Sequence, residues 1–339
     1  MPHTLVTGAT GFIGNRLVER LVERGDEVAC LVRPSSRTER LDAFGVGRVV
    51  GALDDAEALA ESLRAAGPFD TVYHLAGLTH ATRLEDFLAV NADGVEHLGR
   101  ALAAIAPSPT LVLVSSLAAA GPSPPGEPHT ESTPPAPISN YGRSKLAGEE
   151  AARRYADQLS LSILRPPAVF GPGDRDGLML FQSLRRFPLH LVPQMKGLPL
   201  SLIYVDDLVE ALITVGDRGE RVVPGAANDD PRGVYYVADP EASSYAQMGR
   251  YVGAALGKKV FVLCRRKYPF LPLAWGGDLW GKIRGKAPLF GMDKLREASA
   301  SGWVCDPGKI REGLGWSPAK PLAERYQETG DWYREAGWL

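Results

Sequence analysis

The first fourteen residues constrain the chain more than any other stretch. Directly after the apolar pair Leu5-Val6 come Thr7-Gly8-Ala9-Thr10-Gly11-Phe12-Ile13-Gly14, and an amphipathic stretch follows over Phe12–Arg24. Glycines spaced G-x-x-G-x-x-G between a strand and a helix have a joint physical use. Gly8 permits a tight turn, Gly11 lets backbone approach a pyrophosphate and Gly14 allows close helix packing. The helix N-terminus then offers N–H donors and a positive dipole end to phosphates. The plain alternative is a tight strand-to-helix turn without a ligand. Agreement of position, strand and helix favours a dinucleotide.

The rest of the first 120 residues repeats that unit. Short apolar runs at Glu27–Val32, Arg48–Val50, Thr71–His74 and Thr110–Val114 read as strands buried on both faces. Between them, Phe12–Arg24 places Ile13, Leu17, Leu21 and Val22 on one helical face with Glu19, Arg20 and Glu23 opposite. Ala56–Ala66 and Phe87–Ile105 behave similarly. Alternating strand and helix predict an α/β fold with a doubly wound parallel sheet.

After Val114 the pattern changes. Residues 122–137 hold seven of the 27 prolines, and neither a regular helix nor a central strand runs through such a stretch, because proline lacks the N–H donor and fixes φ. A surface loop is expected there. A helix at Ser139–Gln158, a strand at Leu161–Leu164 and a short strand at Val234–Val237 follow. From Ser243 onward the reading is mainly helical with aromatic punctuation.

Composition narrows the function. With 339 residues, 45% hydrophobic and 23% charged, the chain is long enough for one large domain or two smaller ones with real cores. The 38 Lys and Arg balance 40 Asp and Glu, which leaves no basic footprint for nucleic acid. Cys30, Cys264 and Cys305 are far apart and without metal-ligand spacing, so neither a disulfide framework nor a metal site is expected, and a reducing, cytoplasmic setting fits. No apolar run is long enough for an integral membrane segment, and the N-terminus lacks the features of a secretory signal.

Two further groups of residues carry chemistry. The second strand ends Leu31-Val32-Arg33-Pro34-Ser35-Ser36-Arg37, where a carboxylate would hold the ribose 2′-hydroxyl of NAD. Guanidinium groups there pair instead with a 2′-phosphate, so NADP(H) is favoured and NAD(H) is possible. The alternative makes Arg33 and Arg37 merely solvated charges. Further on, Ser116 follows the Thr110–Val114 strand at its carboxyl end, where doubly wound sheets place ligands. Tyr141 and Lys145 lie one helical turn apart, so that an ammonium can stabilise a phenolate and lower the tyrosine pKa toward a working range.

Together these residues resemble the extended short-chain dehydrogenase/reductase family, also called the NAD-dependent epimerase/dehydratase superfamily. The closest character is that of its dihydroflavonol-reductase and 3β-hydroxysteroid-dehydrogenase branches. Besides TGATGFIG and YGRSK, the resemblance includes Val72–Gly77 (VYHLAG), Asn91, Leu164–Gly173 (LRPPAVFGPG) and Ile203–Leu208 (IYVDDL). It implies an NAD(P)-binding Rossmann domain over 1–170, which also receives about 200–217 and 234–240. A smaller, mainly helical substrate domain would comprise 171–199, 218–233 and 241–339. It further implies that Ser116 holds the substrate oxygen, Tyr141 is the general acid/base and Lys145 holds the nicotinamide ribose. The cofactor residues carried over are Gly8, Thr10, Gly11, Phe12, Ile13, Gly14, Arg33, Ser36, Arg37, Leu53, Leu75, Ala76, Gly77, Asn91, Ser115, Tyr141, Lys145, Pro166 and Val169. Thr79, His80, Ser116 and Phe170 are the substrate candidates, and a homodimer is a family expectation.

This chain departs from the family pattern twice. Where members commonly read G-D-L after the third strand, it has Gly51-Ala52-Leu53, with Asp54 two positions late. Where nucleotide-sugar enzymes carry an arginine before the V-D-D motif, it has Leu200. Loss of a charge-assisted bidentate contact weakens a diphosphate site, which turns the reading toward an apolar ligand. Tyr268–Phe290, with Tyr268, Phe270, Leu271, Leu273, Trp275, Trp280, Leu289 and Phe290, forms a cap for such a ligand, touches a membrane surface beside Lys282, Arg284 and Lys286, or is simply core.

The expected activity is hydride transfer between NADP(H) and a ketone or alcohol carbon of a hydrophobic, steroid-, flavonoid- or acyl-like small-molecule substrate. The alternatives are a nucleotide-sugar 4-epimerase or dehydratase, and a non-catalytic NAD(P)-sensing protein.

Overall fold

A computed structural model describes residues 1–195, 197–241, 243–284 and 291–339. The first half alternates strand and helix. It runs β1 (His3–Thr7), α1 (Phe12–Arg24), β2 (Glu27–Val32), α2 (Glu39–Asp42), β3 (Gly47–Val50), α3 (Ala56–Ala66), β4 (Thr71–His74) and α4 (Leu84–Leu88). A π-turn (Ala89–Asp93) leads into α5 (Gly94–Ala103), β5 (Thr110–Val114), α6 (Leu117–Ala120), α7 (Asn140–Arg153) and β6 (Ser160–Arg165). The second half begins with β7 (Ala168–Phe170), α8 (Arg175–Arg186), β8 (Leu189–Val192), β9 (Pro199–Leu200), β10 (Leu202–Tyr204), α9 (Val205–Arg218) and β11 (Val234–Tyr236). It ends with β12 (Ser243–Ser244), α10 (Tyr245–Ala255), β13 (Phe261–Cys264), a 3-10 turn (Tyr268–Phe270), α11 (Leu271–Arg284), α12 (Met292–Ala298), α13 (Gly308–Leu314) and α14 (Leu322–Glu335).

Among the described residues, seven parallel strands form one sheet in the order β11-β6-β5-β4-β1-β2-β3. The order reverses at β1, which pairs with β2 on one side and β4 on the other. A crevice therefore opens at the carboxyl ends of β1 and β4. Successive side chains of each strand enter opposite cores. Val6, Val112 and Val114 pack with Leu17, Leu21 and Leu212 on one face; Leu5, Leu111 and Leu113 pack with Leu63, Leu98 and Leu102 on the other. This two-sided burial is why the strands read as unbroken apolar runs.

The second half builds a core of its own. Phe170 stacks on Tyr326 with ring centroids 4.1 Å apart, in a core that also includes Phe181, Leu184, Leu200 and Tyr333. The Asp206-Asp207 pair fastens the two halves. Asp206 accepts from Arg16 of α1 at 2.8 Å, and Asp207 accepts two hydrogen bonds from Arg325 of α14, at 2.8 and 3.2 Å.

Three local features differ from the pattern reading. Phe87–Ile105 is not one regular helix, because the π-turn at Ala89–Asp93 interrupts it. The proline-rich stretch is an irregular connection, as proline dictates, yet it is not a loose surface loop. Ser123, His129 and Glu131 are buried, and backbone bonds from Ser123 to Gly302 and from His129 to Val304, both 2.9 Å, zip it to the C-terminal half. The region after Ser243 also contains β13, a strand paired with β8. Of the aromatic segment, Lys286, Leu289 and Phe290 lie outside the described residues, as do the side chains of Lys282 and Arg284. Among the described residues no helix is long and apolar enough to cross a membrane.

Candidate active site

The site begins where β5 ends. Ser115 is buried, and Ser116, half-buried in extended backbone, caps α6 by accepting from the Ala118 N–H at 3.1 Å. Helix α7 then returns past this point, its first turn capped by the Ser139 hydroxyl. Two glycines let it approach closely. A Cβ at Gly142 would lie 2.3 Å from the Ala118 carbonyl oxygen, and one at Gly148 would lie 2.1 Å from that of Asn91. Tyr141, Lys145 and Glu149, spaced four apart, are thereby presented together to the end of the sheet.

Lys145 is buried and donates from Nζ to the Val114 carbonyl at 2.8 Å. Burial pulls its ammonium down to about 8, while the Glu149 charge acts the other way. Burial pushes the Tyr141 phenol up, opposed by its hydrogen bond with Ser116 and reinforced by the charge of Glu297. Here Ser116 is the group that eases ionisation of Tyr141, and the ammonium faces the β4–β5 edge. His74 on β4 is held neutral, its pKa pulled down to about 3 by burial and then by the Lys145 charge.

Asn91 in the π-turn ties the remaining parts together. Its side chain accepts from the Leu78 N–H at 2.7 Å and donates to the Leu78 carbonyl and the Ser144 hydroxyl, both at 2.9 Å. Leu75, Ala76 and Gly77 are thus fixed beside Lys145, whose Nζ would stand 3.9 Å from a Cβ at Gly77.

The glycine turn lies at the adjacent strand end. Gly8 has φ +71°, and a Cβ there would lie 2.6 Å from the Ala76 nitrogen; one at Gly14 would lie 2.2 Å from the Gly8 oxygen. Both clashes are with backbone, so only glycine lets the turn, α1 and the β4 loop converge. Helix α1 starts without a side-chain cap and without an acidic residue in its first turn, leaving the Phe12 and Ile13 end open to an anion. Thr10 and Gly11 are exposed there. This cradle fits a dinucleotide pyrophosphate.

The other candidates divide. Arg33 and Arg37 are exposed after β2 and have no ion-pair partner among the described residues, while the Ser36 hydroxyl accepts from the Arg33 N–H at 3.0 Å. Leu53 is half-buried under Gly94 and its carbonyl meets His97 Nδ1 at 2.8 Å; Asp54 beside it is exposed. Thr79 and His80 lie on the exposed rim, with His80 Nε2 3.9 Å from Asp176 on α8. Pro166 is buried and accepts from the Leu117 N–H at 2.8 Å. Val169 packs against the sheet core. Phe170 is drawn into the aromatic stack with Tyr204 and Tyr326. No group of three or more His, Cys, Asp or Glu among the described residues could hold a metal ion.

Four residues of this neighbourhood escaped the sequence reading. Glu149 and Arg165 form a fully buried pair, Arg165 donating at 2.9 and 2.6 Å, and Glu149 also accepts from Ser115. Glu149 extends the Tyr141/Lys145 spacing by one more turn, a signal that was available. Asp293 accepts from the Asn140 N–H at 3.1 Å, and Glu297 charges the surroundings of Tyr141. Both arrive from α12, more than 150 residues away in sequence, so no local pattern marks them.

Comparisons with known proteins point to one family. Residues 4–228 match the NAD dependent epimerase/dehydratase family. The chain is 33% identical to a ceramide reductase of Caulobacter vibrioides, over 98% of this chain and 95% of that protein. It is 29% identical to a UDP-glucose 4-epimerase of Vibrio cholerae, over 99% and 97%. The crystal structure of the Thermus thermophilus UDP-glucose 4-epimerase in complex with NAD superposes with a TM-score of 0.75 at 25% identity, covering 98% of this chain and 99% of that one.

Replacing Arg165 by Leu leaves the buried Glu149 without its guanidinium partner, and should lower unfolding free energy by about 3–5 kcal/mol. Replacing both Glu149 and Arg165 by Leu should recover only part of that loss in denaturant titrations, because Lys145 then lacks the Glu149 charge. Equal loss in the single and double variants would show that the pair does not act as a unit.

Proposed function

The chain belongs to the NAD-dependent epimerase/dehydratase family and is an NAD(P)-dependent enzyme of the extended short-chain type; from that premise we propose an NADP(H)-dependent reductase or dehydrogenase acting on a ketone or alcohol carbon of a hydrophobic substrate. The observation that carries the chemistry is the convergence of Ser116, Tyr141 and Lys145 at the carboxyl end of β5. Gly8, Gly11 and the open end of α1 would hold the pyrophosphate of a dinucleotide, Arg33 and Arg37 its 2′-phosphate and Lys145 its ribose, and the nicotinamide would supply or take up the hydride.

The chain's own groups handle the proton and the oxygen. The Ser116 hydroxyl donates to the substrate oxygen and holds it against Tyr141. In reduction the Tyr141 phenol gives its proton to the oxygen as charge develops there, and in oxidation the phenolate takes it back. Ser116 eases ionisation of the Tyr141 phenol, while the Lys145 ammonium, anchored on the Val114 carbonyl, would hold the ribose. Helix α12 docks on the first residue of α7 through Asp293.

An apolar substrate is supported by Leu200. It is buried in the core shared by Phe170, Leu202 and Tyr204, at the position where nucleotide-sugar enzymes carry their arginine. Similarity to a ceramide reductase points the same way. The second reading, a nucleotide-sugar 4-epimerase, is favoured by the similarity to the Vibrio cholerae enzyme.

Tyr141→Phe removes the proton donor and should lower kcat by about 10²–10⁴-fold; unchanged turnover would refute the assignment. NADPH should bind more tightly than NADH, and Arg33→Ala should erase most of that preference.

The pH profile carries a separate signature. An ammonium held down to about 8 is charged below that pH and neutral above it, whereas the Tyr141 phenol is pushed up and stays protonated. Hence kcat/KM for reduction should fall as pH rises through about 8. Lys145→Arg, whose side chain stays charged, should retain measurable activity and move the limb upward. A limb that stays in place would assign it to another group.

A further inference from the structure

The exposed apolar side chains of this protein are concentrated in two stretches that contain no acidic residue. Neither 177–205 nor 242–277 holds an Asp or Glu, in a chain with 40 of them. Phe187, Leu189 and Leu191 from the first stretch, and Phe261, Tyr268 and Trp275 from the second, are 45–70% exposed.

Strand pairing builds part of this surface. In the parallel pair β8–β13, Leu189 stands beside Phe261 and Leu191 beside Leu263. These alternate with His190 and Val192, which are buried, so the outward row of the little sheet is apolar where a solvated face would be polar. Cations frame it. Arg185 and Arg186 precede β8, Lys258 and Lys259 precede β13, and Arg265, Arg266 and Lys267 follow it directly. All seven are exposed, and none has an ion-pair partner among the described residues. The chain then passes through Tyr268 into α11, which exposes Leu273, Trp275 and Trp280.

From this juxtaposition of an outward apolar row, aromatic residues and unpaired cations we infer that the β8–β13 face and the start of α11 dock on an anionic phospholipid bilayer. A bilayer interface takes up both kinds of group at once: apolar and aromatic side chains enter the acyl boundary while Lys and Arg meet anionic headgroups. A second copy of this chain is disfavoured, because two like-charged faces would meet across the contact. Helix α11 also packs on α12, which supplies Asp293 and Glu297 beside Tyr141. The inference rests on surface chemistry alone and stands whatever the substrate.

The test is sedimentation of the full chain with vesicles of equal phosphatidylglycerol and phosphatidylcholine, compared with phosphatidylcholine alone. Binding should be at least about tenfold stronger to the anionic vesicles and should fall steeply between low and high salt, where screening shortens from about 30 Å to about 3 Å. Leu189→Glu/Phe261→Glu and Lys258→Glu/Lys259→Glu should each remove most of the binding while keeping the wild-type thermal transition. Wild-type tryptophan fluorescence should be quenched by brominated phosphatidylglycerol vesicles, a readout that needs no variant. Equal binding to both vesicle types, absence of quenching, or a wild-type dimer that the Leu189/Phe261 variant turns to monomer without any vesicle binding would overturn the inference.

Discussion

A lysine ammonium is costly to bury, and much of this structure is arranged around doing so at Lys145. Its Nζ meets the Val114 carbonyl at the end of β5, and Glu149 one turn on supplies the compensating charge. Glu149 in turn is bearable in the interior only because Arg165 and Ser115 hold both its oxygens. Arg165 reaches on to Tyr236 of β11, the edge strand, at 3.2 Å. Two buried cations, Lys145 and Arg165, with Glu149 between them thus link the catalytic helix to β5, β6 and β11.

The same economy of contact explains why α7 sits so close to its neighbours. Gly142 and Gly148 remove the Cβ atoms that would strike the Ala118 and Asn91 carbonyls, and the π-turn swings Asn91 into reach of Leu78 and Ser144. Such turns are often found at functional sites, where an extra residue re-aims a side chain. Together they place the phosphate turn, the β4 loop and Tyr141 around one crevice. The proline-rich stretch between Ser116 and Tyr141, fastened to 302–306, holds that crevice to the second half of the chain.

Much of this was legible in the sequence, for identifiable reasons. The bounds of Phe12–Arg24, Glu27–Val32, Ala56–Ala66, Thr71–His74 and Thr110–Val114 follow from hydrophobic periodicity and coincide with the observed elements. The glycine turn and the Tyr141/Lys145 spacing announce themselves because their geometry is local. What stayed hidden depends on partners far away. The π-turn inserts one residue into an otherwise helical rhythm, which a 3.6-residue period absorbs without trace. The burial of His129 and Glu131 depends on residues 304–306 and on Tyr236. Phe261–Cys264 is a strand only because Leu189–Val192 lies beside it, and Asp293 reaches Asn140 across 153 positions.

The central claim is net hydride transfer from a nicotinamide dinucleotide to a carbonyl carbon of an apolar substrate, with Tyr141 supplying the proton. It is tested most directly with NADPH deuterated at the nicotinamide C4 positions and a long-chain keto compound, read by mass spectrometry. Deuterium on the carbinol carbon, with one NADP⁺ formed for each alcohol, is the predicted result. Interconversion of a UDP-hexose at C4 without net consumption of NADPH, and no label in the apolar alcohol, would contradict it.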